Sequence, residues 1–411
     1  MSSRVKVTVV YPLDPLGPKI GGSVTFIRGL LQHAPPIIDL RFVGVTCDVV
    51  QRPTLRWTTQ HMEGRRFEFL PVLHEDREDQ RHRVPLSLRF VHALAGQRLA
   101  DDGALLVHNR LETLLGRGVR KHRNIAFIHN DVPAQVGSGP SEVLWSRFPW
   151  LYYRFEQHAF KFVDQVYTVS TNTLSDCRRR HPTAHEKFAF VPTWVDTSRF
   201  APSVEPKRAV RARLVARGLD IDIDAPWILY VGRLQPQKAP QRLLDAFALL
   251  HQQQPSAQLI LIGDGNLRSA VEDQVRRQGL AASVHLLGPV PQTELPAYYH
   301  AAELLVLTSN FEGMPMCVLE ALACGLPVVT TRVGEVARVV QPGATGEIAG
   351  AADAASVCSA LLHALGRTRD AGAGYDLDAC VAVVRPFSPS QVLAPIYARI
   401  DELARRSDAP T

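Results

Sequence analysis

Short apolar runs alternate with longer amphipathic stretches over the first two hundred positions. Val5–Tyr11, Leu40–Val45, Phe67–Val72, Leu105–His108, Ile125–His129, Val166–Ser170 and Phe188–Pro192 are apolar enough to be strands buried on both faces. Ser23–His33 and Trp150–Val163 carry helical spacing between them. Strand, helix, strand at this rhythm predicts a parallel sheet wound on both sides. The rhythm breaks over Asp196–Ala225, where PSVEPKR and LDIDIDAP are charged and rich in proline, and a second series follows. Its expected strands are Trp227–Val231, Gln258–Ile262, Val284–Leu287, Leu304–Leu307 and Val328–Thr330. Its expected helices are Pro240–Gln253, Leu267–Gln278, Gln292–His300 and Pro315–Cys324, with a last helix over Pro389–Leu403.

The pattern divides the 411 residues into an N-terminal Rossmann-like domain over 1–200, a connection over 201–224, a second Rossmann-like domain over 225–387, and a final segment, 388–411, expected to pack back toward the first. Two such domains facing each other would place a cleft at the C-terminal ends of both sheets.

Composition narrows the class. The chain is 46% hydrophobic and 21% charged, as globular proteins are, and no apolar run reaches the roughly 20 residues that span a bilayer. The N-terminus reads as a first strand and lacks a signal-type cleavage site. Six scattered cysteines form neither a CxxC pair nor a zinc spacing, which points to a reducing compartment and a cytoplasmic protein. Residues 1–200 carry 27 Lys+Arg against 19 Asp+Glu, whereas the remainder is slightly acidic. A basic first half suits an anionic partner, including the inner face of a membrane; it is also an ordinary basic surface. Leu144–Phe162 mixes aromatics with Arg147, Arg154 and Lys161. Its spacing fits a core face, with Trp150 and Tyr153 as candidate exposed anchors.

The chemistry collects where strands of the second series end. Trp227–Val231 runs into Gly232-Arg233-Leu234-Gln235-Pro236-Gln237-Lys238, which puts two cations in one loop. Arginine can fork two phosphate oxygens and lysine adds a point charge, the neutralisation a leaving diphosphate needs. Gly263-Asp264-Gly265 makes a tight turn after the next strand. Phe311-Glu312-Gly313-Met314-Pro315-Met316-Cys317-Val318-Leu319-Glu320 follows Leu304–Leu307. Proline suits the start of a helix, and the backbone N–H groups of Met316, Cys317 and Val318 would then form an anion site flanked by two acids. Taken singly, these residues also read as solvated surface charge and a capped helix. The Asp-x-Asp runs at Asp220–Asp224 and the one at Asp376-Leu377-Asp378 are poorly placed for a metal, and no metal is expected.

These residues together resemble glycosyltransferase family four, whose members have the GT-B fold. The Gly-Arg loop with its later lysine and the two glutamates with seven residues between them occur here as Arg233/Lys238 and Glu312/Glu320. Gly263-Asp264-Gly265, Leu287-Gly288, Ala301–Leu307 and Val191–Asp196 with Phe200 extend the resemblance over nearly the whole chain. It implies a retaining, metal-independent transfer of a sugar from a nucleoside diphosphate, UDP or GDP above all, to a carbohydrate or lipid-linked glycan. By resemblance, Arg233 and Lys238, with Gly22 of a Gly-rich loop, bind the diphosphate. Glu320 binds the ribose and Glu312 holds the sugar hydroxyls. The backbone of Gly313, Met314, Pro315, Met316 and Cys317 lines the sugar and phosphate. His129 touches the transferring sugar, and Gly21, His108, Arg110 and Glu112 are candidates for the acceptor. Where the family often reads Asn-Gly this chain has Thr193-Trp194, so the loop there is expected to differ. Two other readings stay open: a nucleotide-sugar epimerase of the same fold class, and a non-catalytic sugar-nucleotide binding protein. Nucleic-acid binding is disfavoured because the basic residues are dispersed.

Overall fold

The computed structural model describes residues 4–18, 21–75, 84–97, 105–116, 119–129, 149–369 and 374–407. The chain divides into two compact units, 1–193 with 389–411, and 194–388.

The first unit is built on eight strands: β1 (Val5–Val10), β2 (Ile38–Thr46), β3 (Thr58–Met62), β4 (Arg65–His74), β5 (Leu105–His108), β6 (Arg123–Ile128), β7 (Gln165–Thr168) and β8 (Phe188–Phe190). They lie in the order β3-β4-β2-β1-β5-β6-β7-β8. Every pairing is parallel except the β3–β4 edge hairpin. That hairpin was not expected. Its first strand, TTQHM, is polar and half-exposed, so it lacks the apolar run that marks the others. The last helix, Pro389–Ser407, lies against β1, β5 and β6, and Tyr397 donates from its hydroxyl to the Leu30 carbonyl at 2.9 Å. Aromatic packing on this unit also corrects one expectation. Trp150 is 62% exposed, but Tyr153 is half-buried under the Arg180 guanidinium, 4.5 Å from its ring centre, and is no free anchor. Leu144 and Phe148 lie outside the described residues, as do the side-chain surroundings of Leu151.

The second unit holds β9 (Trp227–Val231), β10 (Gln258–Ile262), β11 (Val284–Gly288), β12 (Leu304–Leu307), β13 (Val328–Thr330) and β14 (Gly346–Ile348), all parallel, in the order β11-β10-β9-β12-β13-β14. Such strands need cover on both faces. One core packs the helices Lys207–Ala216, Leu295–Ala301, Met316–Ala323 and Leu377–Val384 on one side; a second packs Pro240–Gln253, Arg268–Arg277 and Ala354–Arg369 on the other.

The stretch 201–224, expected as a connection, is folded into this unit. Its helix Lys207–Ala216 buries Val210 and Leu214, and Arg211 donates to the carbonyls of Ala301, Ile223 and Ala225. The charge that suggested a linker is exposed on the outer face of that helix, as in the pair of Arg208 with Asp224. Trp194 at the start of the unit is buried.

In both sheets the order of strands reverses beside the first strand laid down. Chain leaves β1 toward β2 on one side and β5 on the other; β9 has β10 on one side and β12 on the other. Such switch points leave an opening at the carboxyl ends of the two flanking strands, where ligands of open α/β sheets bind.

Candidate functional site

At the β9/β12 switch point two loops are sewn together. The Asn310 N–H donates to the Gln237 carbonyl at 2.8 Å, and Gln237 Nε2 donates back to the Phe311 carbonyl at 3.1 Å. Thr308 Oγ1 bonds the carbonyls of Lys238 and Ala239, each at 3.2 Å. Ala239 takes a left-handed backbone, φ 46°, which costs a non-glycine residue roughly 1–2 kcal/mol. That turn aims Lys238 across the gap. Its ammonium lies 2.6 Å from Glu312 Oε1, and the same oxygen accepts the Ser309 hydroxyl at 2.6 Å. Both partners of the ion pair are largely removed from water. Arg233, in the same loop, is exposed, and among the described residues its guanidinium has no ion-pair partner.

Two glycine contacts hold this geometry. Gly263 has φ 132°, and a Cβ there would lie 2.0 Å from the Gly232 carbonyl oxygen, so the Gly263-Asp264-Gly265 turn packs directly under the Arg233 loop. Gly334 has φ 47°, and a Cβ would lie 2.0 Å from the Gly313 oxygen; beside it the Glu335 N–H donates to that oxygen at 2.8 Å. Gly334 and Glu335 therefore brace the Glu312 loop from behind.

The helix begins at Met316, with Pro315 as its cap. The Val318 N–H, expected to be free, is taken up by the Pro315 carbonyl at 3.2 Å, so the available donors of this helix start are those of Met316 and Cys317. Met314 and Cys317 are buried, and Gly313 and Met316 half-buried. The Cys317 thiol is pushed up to about 12 by burial. Lys238 favours its ionisation, and Glu320 and Glu312 oppose it, so all three charged groups lie within electrostatic range of one sulfur. Glu320 is 5% exposed. Burial pushes its carboxyl above the usual carboxylate range, and hydrogen bonds from Tyr299 and Gln292 and the field of Arg199 pull the other way.

The first unit carries its candidates at its own strand ends. Gly21 precedes the helix Gly22–Gln32, and Gly22 is exposed at its start. His129 follows β6 directly. Its ring lies edge-on to Phe26, 5.0 Å between centres, and its Nε2 bonds the Asn109 Oδ1. Desolvation, and secondarily the Arg110 charge, lowers its pKa to about 4. Arg110 is exposed and Glu112 half-buried. His108 corrects the sequence expectation. It is wholly buried, with Nδ1 2.7 Å from Thr113 Oγ1 and Nε2 3.0 Å from Asn124 Oδ1, and so has no ring nitrogen to offer an acceptor. Burial lowers its pKa to about 4.

Sequence reasoning missed Ser309, Tyr299, Gln292, Gly334 and Glu335. The Ser-x-x-Glu spacing of Ser309 and Glu312 was a readable signal; the others are brought in from separate strands and helices. Among the described residues no group of three or more His, Cys, Asp or Glu is placed to hold a metal ion, and no helix is long and apolar enough to cross a membrane.

Two Rossmann-like units of this kind make the GT-B fold of glycosyltransferases. Sucrose-phosphate synthase from Thermosynechococcus elongatus superposes with a TM-score of 0.75 at 19% identity, covering 98% of this chain and 99% of that one. Anabaena HepE, solved with UDP and glucose, gives 0.69 at 16% identity over 97% and 100%. Residues 216–366, most of the second unit, match the family described as glycosyl transferases group 1. A D-inositol 3-phosphate glycosyltransferase of Thermobispora bispora is 34% identical over 196 residues, 45% of this chain and 44% of that protein. A GDP-mannose-dependent phosphatidylinositol monomannoside mannosyltransferase of Mycolicibacterium smegmatis is 30% identical over 190 residues, 44% and 48% of the two. The chain thus spans about half the length of the curated relatives it matches.

Proposed function

We propose that this protein transfers a sugar from a nucleoside-diphosphate sugar to a hydroxyl of a carbohydrate or lipid-linked glycan, with retention at the anomeric carbon and without a metal. The observation that carries the proposal is the Lys238–Glu312 ion pair at the β9/β12 switch point, with Arg233 beside it. A charged pair shielded from water contributes little net stability, and at a ligand opening it offers charge that a ligand can take over.

In this reading Lys238 leaves Glu312 for the diphosphate. Arg233 and the N–H groups of Met316 and Cys317 add to the neutralisation. As the anomeric C–O bond breaks, its electron pair passes to the departing nucleoside diphosphate, the acceptor hydroxyl oxygen bonds to that carbon from the same face and gives its proton to the leaving phosphate oxygen, and these donors stabilise the charge that develops there. Glu312 remains held by Ser309 and accepts hydrogen bonds from the sugar hydroxyls; Glu320 serves the ribose. His129, Gly21, Gly22, Arg110 and Glu112 are assigned to the sugar and acceptor side. The relatives named for inositol phosphate and phosphatidylinositol mannoside acceptors support an anionic or lipid-linked acceptor, which the basic first half would attract. Association with an anionic membrane belongs to the same proposal. Exposed Leu88, Leu115 and Trp150 lie on three short elements, of which the middle one packs against both others.

The test is a thermal-shift panel of UDP, GDP and ADP and their sugars, since a ligand of the native state raises the melting point. Hits are then assayed with acceptors. A glycosylated product supports the proposal; an epimerised nucleotide sugar or binding without turnover overturns it.

A further inference from the structure

The two acids of the site are held by different means, and the second brings in residues so far given no role. Glu320 lies on the helix Met316–Ala323 with 5% exposure, and among the described residues no cation pairs with it directly. An ionised carboxylate removed from water must be met by hydrogen-bond donors. Tyr299, on the helix Leu295–Ala301 and itself 1% exposed, donates from its hydroxyl to Glu320 Oε2 at 2.7 Å. Gln292 lies close enough for its side chain to favour the ionised form of the same carboxylate.

The orientation of Gln292 is fixed by its other neighbour. Arg199 Nη1 bonds the Gln292 Oε1 at 3.2 Å. A guanidinium can only donate, so the amide oxygen must face it, which leaves the amide nitrogen for the carboxylate. Arg199 thus turns the Gln292 amide nitrogen toward Glu320, and Tyr299 supplies the carboxylate's hydrogen bond. The Tyr299 ring packs edge-on against Phe200, 5.9 Å between centres, so its hydroxyl has little freedom to follow a wandering carboxylate. A carboxylate offers about four acceptor directions; the Tyr299 hydroxyl fixes one and leaves others for a ligand.

We propose that Tyr299 and Gln292 are positioning residues that fix Glu320 for the hydroxyls of a nucleotide ribose. The inference rests on the donor reading given above. It adds which side chains outside the ligand's reach set the preference for ribose over deoxyribose.

The experiment measures, by calorimetry, the Kd of whichever of UDP, GDP and ADP binds tightest, and of its 2′-deoxy and 3′-deoxy forms, on the full chain. Wild type should prefer the ribonucleotide over at least one deoxy form by about tenfold or more, the scale of a hydrogen bond to a charged group. Tyr299→Phe keeps the packed ring and removes the donor. It should cut the preference to about threefold or less while leaving the Kd of the deoxy form unchanged. Gln292→Ala should act in the same direction, and melting curves confirm that both variants are folded.

Equal weakening of ribo and deoxy forms in both variants marks a purely structural role and overturns the inference. Glu320→Ala separates the two layers. If it abolishes the preference while both positioning variants retain it, the inference fails and the ribose assignment stands. If wild type shows no preference, or Glu320→Ala keeps it, the ribose assignment itself fails and takes the inference with it.

Discussion

The two histidines at the ends of β5 and β6 in the first unit and the charged groups after β9 and β12 in the second are held in opposite ways. In the first unit, His108 and His129 are kept neutral by burial, and His108 has both ring nitrogens occupied by Thr113 and Asn124. In the second, opposite charges are brought together at 2.6 Å and left beside an exposed arginine. A neutral, fully bonded ring gains nothing further from a ligand. A shielded ion pair can give one partner to a diphosphate provided that sugar hydroxyls meet the carboxylate left behind. Burial alone therefore does not mark a site, and neither does pairing, since the first unit shields Arg52 against Asp14 at 3.1 Å; what marks the second unit's pair is its place at the β9/β12 switch point.

The largest way to break this contrast is Lys238→Ala. It strands Glu312 with Ser309 as its remaining hydrogen-bond partner among the described residues, so we expect about 3 kcal/mol lower stability of the second unit by urea unfolding. Sugar transfer should fall about 100-fold or more. Adding Glu312→Gln should recover much of the stability and none of the turnover. Recovery of turnover would show that the pair is structural.

The first unit should answer to acid. The folded pKa of His108 is about 4, below the usual 6.5, so the unfolded chain binds more protons between these values and stability falls as pH drops from 6.5 toward 4. For this fully buried ring the loss should be on the order of 3 kcal/mol by pH 4, with His129 adding in the same direction. His108→Gln has no proton to gain and should flatten the profile; urea midpoints at pH 7 and pH 5 check it.

Much of the site was legible because its chemistry is local. Arg233, Lys238, Glu312 and Glu320 follow strands whose apolar runs are plain, and turn glycines mark the loops between. The helix Lys207–Ala216 was hidden because KRAVRARLVA is basic enough to read as surface, although Val210, Leu214 and the Arg211 stem are buried. His108 looked available because strand-end position carries no information about Asn124, sixteen residues away on the neighbouring strand. Tyr299 and Gln292 reach Glu320 only through tertiary packing, which no spacing announces.

Arg233→Ala sharpens the contrast from the other side. A guanidinium that is exposed and makes no ion pair among the described residues is a surface group, so stability should stay within about 0.5 kcal/mol of wild type. Nucleoside-diphosphate affinity should drop about tenfold, the share of one charge-assisted contact. Asp222→Ala, whose carboxylate bonds the Asp224 N–H at 2.9 Å in the same unit, should change neither. An unaltered Kd for Arg233→Ala removes the arginine from the diphosphate site.

The smallest expected effect separates the two acids by what they cost the fold. Burial raises the Glu320 pKa above its ordinary 4.5, so the folded chain holds that proton more tightly. Its contribution to stability is present below pH 4.5 and is lost as pH rises through the folded value. Above its folded pKa the ionised group is therefore a burden that its hydrogen bonds only partly relieve. Glu320→Gln keeps the size and the acceptor for Tyr299 and removes the charge. It should raise the melting point by about 2–4 °C at pH 7 and leave it unchanged at pH 4. A lower melting point at pH 7 would mean that the charge stabilises the unit. Glu320 would then resemble Glu312, an acid kept for its partners, and the division between the two carboxylates would disappear.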